Sequence, residues 1–397
     1  MPILPRPLRG LVVATTLAAV AAAQVETPTF AARCQAFATW FTNQAKELHA
    51  DLNSGDKART QTAAKAIGAR VAELVPGLRI NFERGPASEP LVMYLQPGKD
   101  RVVQILGRAL LASMPPVEQF RFVPWRMPAE ADTDLVVIGK DPVRLGDLVA
   151  VCQFDEAKQG LVVHVWNQHL GRLGEADRAR MVRFGVERAF GAAMEQRWLR
   201  AVHVLDDEPT PENDGYARGA DLRRTALGLL RDQQDPELDP DRVEEAYFKS
   251  DREFPEGSRC ADIAFGSSLL PDLVYDLQVG GTPDTVQRLA RLGVAAGFVA
   301  MTATIAYDPF DDDAKTKVLT LRKQFADELG EALTKAGVGA LIGTASGSAK
   351  GYYDVLLFDL AAARPVLERV AKANTLVQAA TLVSFSPVEP KELLRLK

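Results

Sequence analysis

At 397 residues, with 47% hydrophobic, 25% charged and 7% aromatic side chains, the chain has the make-up of ordinary globular protein, which excludes whole-chain disorder, collagen, a coiled coil and a multispan membrane protein. Roughly 150 residues per domain suggests two or three domains. Lys and Arg number 47 against 52 Asp and Glu, a net charge of −5, so a basic surface that tracks nucleic-acid phosphates is not expected.

The first 23 residues read as a secretory signal: Arg6 and Arg9, an apolar run from Leu11 to Ala23, and Ala21 and Ala23 at the small positions of a cleavage site. The run falls short of the roughly 18 to 20 residues that cross a bilayer. No Cys follows it as a lipid acceptor. The expected product is an exported protein, periplasmic or extracellular, without a membrane span. Its cysteines, Cys34, Cys152 and Cys260, are too few for a disulfide framework. One bridge is the most they allow, and the sequence leaves the pair open.

From Thr29 to about Leu52, Phe30, Cys34, Phe37, Phe41, Ala45 and Leu48 recur at helical spacing, with Thr29 as cap. After Ser54-Gly55-Asp56 a second helix carries Ala63, Ile67, Val71 and Leu74 on one face and stops at Pro76-Gly77, giving a helical hairpin. Strands follow at Leu78 to Phe82 and, beyond Gly85-Pro86, at Leu91 to Leu95; then come a helix from Asp100 to Leu111 and a strand from Phe120 to Trp125. Further strands are expected at Leu135 to Ile138, Asp147 to Phe154 and Gly160 to Trp166, a helix from Glu175 to about Gln196, and a strand from Trp198 to Leu205. Residues 24–205 therefore read as an α+β domain, a hairpin plus an α/β sandwich.

Between Asp206 and Glu256 there are 16 Asp and Glu against seven Lys and Arg, broken by five prolines. The tract, 206–259, reads as a solvated acidic connector with short helices at Asp221 to Asp232 and Asp241 to Phe248. Residues 260–397 form the clearest unit. Gly266 to Gly293 supplies a strand and a short helix. Then Phe298 to Tyr307, Lys315 to Lys335, Val338 to Thr344, Tyr352 to Phe358, Ala361 to Ala373 and Leu376 to Phe385 run β-α-β-β-α-β, the ferredoxin-like order. The fold class is α+β.

Thr304-Ile305-Ala306-Tyr307, Gly339 to Gly343 and Gly351 to Phe358, with a weaker match at Leu91 to Leu95, Met114-Pro115 and Phe122 to Arg126, carry a resemblance. The chain resembles an uncharacterised bacterial protein family whose C-terminal module is similar to the fold of the regulator of ribonuclease activity B. The resemblance implies fold and supplies no functional residue. Ribonuclease inhibition is a cytoplasmic task and is not carried over to an exported chain. The helical hairpin and the acidic tract are additions to the family pattern.

The search for chemistry finds no H-E-x-x-H, no C-x-x-C and no G-x-S-x-G. Gly343 to Gly351 superficially resembles a phosphate loop, but Ser348 stands where the next glycine belongs, and the stretch reads as a hairpin turn. The four histidines are His49, His164, His169 and His203; His164 and His203 lie in strands that can approach. Asp308, Asp311, Asp312 and Asp313 are weak candidates for a hard cation, lacking the glycine and distal glutamate of a calcium loop; Asp313 is the expected helix cap. Trp125-Arg126 and Tyr352-Tyr353 are candidate binding residues, with one of each pair expected to be buried by strand alternation.

No catalytic residue, cofactor or nucleic-acid partner is expected. The preferred reading is an exported, noncatalytic binding or regulatory protein whose partner is a protein or a small ligand. The alternatives are a hydrolase with carboxylates converging at the domain junction and a structural envelope component.

Overall fold

The computed structural model describes residues 28–83, 90–130, 133–138, 141–219, 221–233, 235–279, 284–305, 307–308, 310–385 and 391–397. The expected secretion signal and the Gly85-Pro86 turn lie outside them. The described chain is α+β. In order it runs α1 (Phe30–Asn53), α2 (Lys57–Leu74), β1 (Arg79–Glu83), β2 (Leu91–Gln96), α3 (Arg101–Ala112), β3 (Phe120–Val123), β4 (Asp134–Ile138), β5 (Asp141–Arg144), β6 (Val149–Asp155) and β7 (Gly160–Trp166). Then come α4 (Glu175–Phe190), α5 (Ala192–Trp198), β8 (Leu199–Val204), β9 (Tyr216–Arg218), α6 (Asp221–Leu229), β10 (Glu245–Phe248), α7 (Arg259–Asp262), β11 (Ile263–Ser268), α8 (Pro271–Val279) and α9 (Asp284–Arg291). The last part holds β12 (Ala295–Ala303), α10 (Asp312–Ala336), β13 (Gly339–Gly347), β14 (Gly351–Leu357), α11 (Leu360–Ala373), β15 (Val377–Ser384) and β16 (Glu392–Arg395). No helix among the described residues is long and apolar enough to cross a membrane.

The helix ends follow from side-chain caps. Thr29 Oγ1 accepts from the Ala32 amide, Asp56 and Asp100 cap α2 and α3, and Asp359 caps α11, each satisfying donors that a first helical turn leaves unpaired. The spacing that marks α1 as amphipathic also decides its burial: Phe30, Cys34, Phe37, Phe41, Ala45 and Leu48 are all buried. They meet Ile67 and Val71 of α2 in one apolar core.

That core is not confined to the N-terminal part. It continues through Leu91, Met93 and Leu95 of β2, Leu106 of α3, and Phe298, Tyr352 and Phe358 of the C-terminal sheet. Chain joints agree: the Phe30 and Ala31 amides donate to the carbonyls of Gly293 and Phe358 at 3.1 Å each. The hairpin is thus a roof over the C-terminal sheet. A second core is separate, built by 143–230 between the sheet β8-β7-β6-β9 and helices α4, α5 and α6.

The C-terminal sheet has seven strands, β10-β11-β13-β14-β12-β15-β16, every neighbouring pair antiparallel. Its central run β12-α10-β13-β14-α11-β15 has the expected element order. Helices α10 and α11 cover one face through Leu321, Phe325, Leu329, Val366 and Leu367. Both faces are therefore closed, and β14 is buried at every residue.

Three expectations change. The acidic tract is not a solvated connector: β9 pairs with β6, Leu222, Ala226 and Leu230 enter the second core, and β10 pairs with β11. Its acids are partly matched by arginines from outside, Arg108 taking Asp239 and Asp241. In place of the helix expected over 241–248, a short 3-10 turn at Pro240–Arg242 leads into β10, which pairs with β11 and turns only Tyr247 into the shared core. The helix expected from 175 to 196 is broken at Gly191, at φ 76° and ψ 159°. The bridge that the sequence allowed is not formed: Cys34, Cys152 and Cys260 are all free, buried thiols. Burial pushes the Cys34 and Cys152 thiols up to about 12, which keeps them protonated and unreactive.

Candidate functional site

The residues after β3 leave the sheet and turn toward the second core. Trp125 is 6% exposed, and its indole N–H has no hydrogen-bond partner among the described residues. Arg126, half-buried, lays its guanidinium 4.8 Å from the centroid of the Tyr94 ring, and its Nε donates to the Tyr94 hydroxyl at 2.8 Å. The two residues edge a cleft of about 190 Å³ between β2, the Pro97-Gly98 turn and the α4–α5 junction. On their other side a hollow of about 270 Å³ is lined by Pro128, Phe190, Met194 and Arg223.

Gly191 shapes the cleft. Its backbone sits in a region that L side chains avoid, and an added Cβ would meet the Pro128 ring at 3.0 Å and the Arg126 carbonyl oxygen at 3.1 Å. The Ala192 amide donates to that carbonyl at 2.9 Å, and the Ala129 amide to the Arg188 carbonyl at 2.8 Å, so the helix break is clamped to 126–129. The break brings Glu187 and Glu195 together. On an unbroken helix eight residues rise about 12 Å, beyond the reach of one guanidinium. Here Arg183 donates through Nε to Glu187 and through Nη2 to Glu195, both at 2.9 Å.

Burial first, then the Glu187 charge, raises the Glu195 carboxyl above its ordinary pKa, with Arg183 opposing. Gln196 and Gln104 both donate to the Gly98 carbonyl, at 2.8 and 2.7 Å, and fix the turn that forms the far wall. The cleft is thus lined by Arg126 and Gln196, bonded to Tyr94 and Gly98, and by Glu187 and Glu195, both bonded to Arg183, with the buried Trp125 N–H unpartnered among the described residues. Gly191→Ala is expected to destabilise the chain by about 1–3 kcal/mol through backbone strain. Gly228→Ala in α6, where the space around the added carbon is open, should shift stability the other way by about 0.5–1 kcal/mol. Urea unfolding of both variants checks the pair of signs.

Tyr352 and Tyr353 lie elsewhere, and neither is open. Strand alternation turns them to opposite faces as expected, but both faces are covered: Tyr352 stacks edge-on against Phe298 under the hairpin roof, and Tyr353 packs on Phe325 of α10. Their hydroxyl pKa values are raised by burial. Among the acidic-loop residues, Asp311, and not Asp313, caps α10 by accepting from the Asp313 and Ala314 amides. Asp308 accepts from the Phe310 amide and Asp312 pairs with Lys315. Among the described residues no three His, Cys, Asp or Glu side chains are grouped to hold a metal ion. His164 and His203 sit opposite each other on parallel strands β7 and β8, ring centroids 5.0 Å apart; burial and then His203 lower the His164 pKa.

The Gly343 to Gly351 stretch is the end of β13 and the turn of residues 348–350 into β14, and the turn's donors are taken by the chain itself. Asp262 accepts from the Ser348 hydroxyl at 2.6 Å and the Ala349 amide at 2.8 Å through one oxygen, and from the Lys350 amide and Tyr352 hydroxyl, both at 3.0 Å, through the other. Burial works to raise the Asp262 pKa, yet these donors, Ser348 first, hold it below the ordinary carboxylate value. A depressed folded-state pKa gives stability that is present above the unfolded-state value and lost as pH falls through the folded one. The stability gap between the wild type and Asp262→Asn should therefore narrow as pH falls through and below the ordinary carboxylate range. Urea melts across that range test it, and a gap that widens on acidification contradicts the assignment.

Of the cleft residues, Trp125 and Arg126 were legible as candidates in the sequence. Glu187, Glu195 and Tyr94 were not. The one signal for the acid pair is Gly191 inside an otherwise helical pattern, since a glycine there costs helix stability and marks a break. Compared with protein-family models, with curated proteins and with solved structures, the chain finds no match in any of the three.

Proposed function

We propose that the chain is an exported, noncatalytic binding protein whose Trp125–Arg126 cleft takes a small zwitterion. The observation that carries the reading is the unpartnered, buried Trp125 N–H beside the half-buried Arg126. The Trp125 and Arg126 donors suit a carboxylate, and Glu187 and Glu195, which also line the cleft and hold a single arginine between them, suit an ammonium group. A volume of about 190 Å³ restricts the guest to the size of a small amino acid. Export rests on the residue pattern of 1–23.

The C-terminal unit supports a ferredoxin-like reading: numbering its four strands in chain order, they lie 2-3-1-4 across the sheet with both helices on one face. The likeness to the regulator of ribonuclease activity B fold belongs to the same proposal and carries no activity with it.

Calorimetric titration of residues 24–397 with glycine and alanine tests the function. Binding is expected, and Arg126→Ala should weaken it by about 10- to 150-fold, since a hydrogen bond to a charged group contributes about 1.5–3 kcal/mol. Binding that ignores both Arg126→Ala and Trp125→Phe, or no binding at all, defeats the proposal. A second reading, a hydrolase, is favoured by the raised Glu195 pKa beside Glu187. Turnover of a glycosidic or ester substrate that Glu195→Gln abolishes would establish it in place of the first.

A further inference from the structure

A separate groove of about 480 Å³ lies where α3, the segment 241–242 and the α10–β13 junction meet, lined by no residue of the Trp125–Arg126 cleft. Its walls are mainly apolar. Ala109, Leu269, Ala340 and Leu341 remain only half-buried there, so apolar surface is left facing the opening. The volume lies within the range of small-molecule sites, which are typically about 300–1,000 Å³.

The charges around this groove are unequal. Its single acid, Asp241, is 4% exposed, and both of its carboxylate oxygens accept from Arg108. That acid is already neutralised. Arg242 and Lys335 also line the groove, both exposed and with side chains that have no ion-pair or hydrogen-bond partner among the described residues. Lys335 stands in the last turn of α10 and offsets the partial negative charge of that helix end. Arg242 has no such duty. An apolar trough with unmatched positive charge at its edge fits one kind of small molecule.

We propose that this groove binds a single-chain amphiphile with one anionic head, its chain along Ala109, Leu269 and Leu341 and its head at Arg242 and Lys335. Burying the chain supplies affinity in proportion to the apolar area removed from water, while the two cations select the sign of the head. Because the walls come from segments far apart in sequence, the bound amphiphile ties α3 to the α10–β13 junction and raises the stability of the whole chain through mass action.

Calorimetric titration of residues 24–397 with decanoate, decanol and decyltrimethylammonium, each kept below its aggregation concentration, tests the assignment. Decanoate should bind at least about tenfold more tightly than the other two, a difference of about 1.4 kcal/mol. Charge reversal at the two exposed positions, Arg242→Glu with Lys335→Glu, should remove that preference, and Ala109→Phe should weaken all three by filling the trough. Should Ala109→Phe fail to fold, the charge-reversal variant, altered only on the surface, still decides. Decanol binding as tightly as decanoate, a preference that survives charge reversal, or no binding of any probe overturns the proposal. Sedimentation with phosphatidylglycerol vesicles, in a protein that ignores free decanoate, also overturns it and points to a bilayer contact. Glycine binding at the other cleft is read independently, so either result stands without the other.

Discussion

Asp354→Ala is expected to lower the unfolding free energy by about 3–5 kcal/mol, because it leaves a buried guanidinium without its counter-charge. Asp354 is 0% exposed in the middle of β14, and both its oxygens accept from Arg259, which also donates to the Tyr247 hydroxyl at 3.0 Å. The Arg259 guanidinium is enclosed by aromatic rings, 4.7 Å from the Phe298 centroid, 5.1 Å from Phe385 and 5.5 Å from Tyr352. Burial alone lowers the pKa of such an arginine, but Asp354 more than reverses this and keeps it charged. The double variant Asp354→Ala with Arg259→Met removes both charges and should recover much of the loss, since a buried pair replaced by apolar side chains is often close to neutral. Urea unfolding of the single and double variants measures both effects. A single-variant loss under about 1 kcal/mol would place the pair in the energetic class of surface salt bridges and refute the account.

Phe41→Ala should cost about 3–5 kcal/mol, the range for a large aromatic removed from a packed core. Its ring is fully buried on α1 and meets Phe120 and Phe122 edge-on at centroid distances of 4.9 and 5.5 Å, joining the hairpin to β3. Because the same core runs on to Phe298, Tyr352 and Phe358, the loss should not stay local. Amide exchange in β14 is expected to speed up together with exchange in α1, as it does within one cooperative unit. Unchanged protection in β14 would mean that the hairpin is an independent attachment.

The candidate site was half legible. Trp125 and Arg126 stood out as an aromatic and a cation directly after a strand, and the structure places both at a cleft. Tyr352 and Tyr353 stood out by the same rule and are both buried, because alternation says only that two neighbours face opposite ways; it does not say whether a second layer covers each face. The roof over Tyr352 comes from the hairpin, more than 250 residues earlier in the chain. Glu187 and Glu195 could not be paired from their spacing, since the pairing exists only after Gly191 turns the backbone and locks onto the Arg126 carbonyl.

The amino-acid sequence by itself determined the faces of α1, α2, α10 and α11, the period-two strands and the β-α-β-β-α-β order of the C-terminal unit. These depend on which neighbours a residue has within one or two turns, and that information is local. Tertiary structure alone decided the fate of the acidic tract, which reads as solvated by composition yet supplies strands to two sheets. It alone decided that Arg259 and Asp354, 95 residues apart, form a buried pair. A charge is costly to bury unless its partner arrives with it. Which partner arrives is set by sheet order and register, and neither is written in any stretch of the chain short enough to read locally.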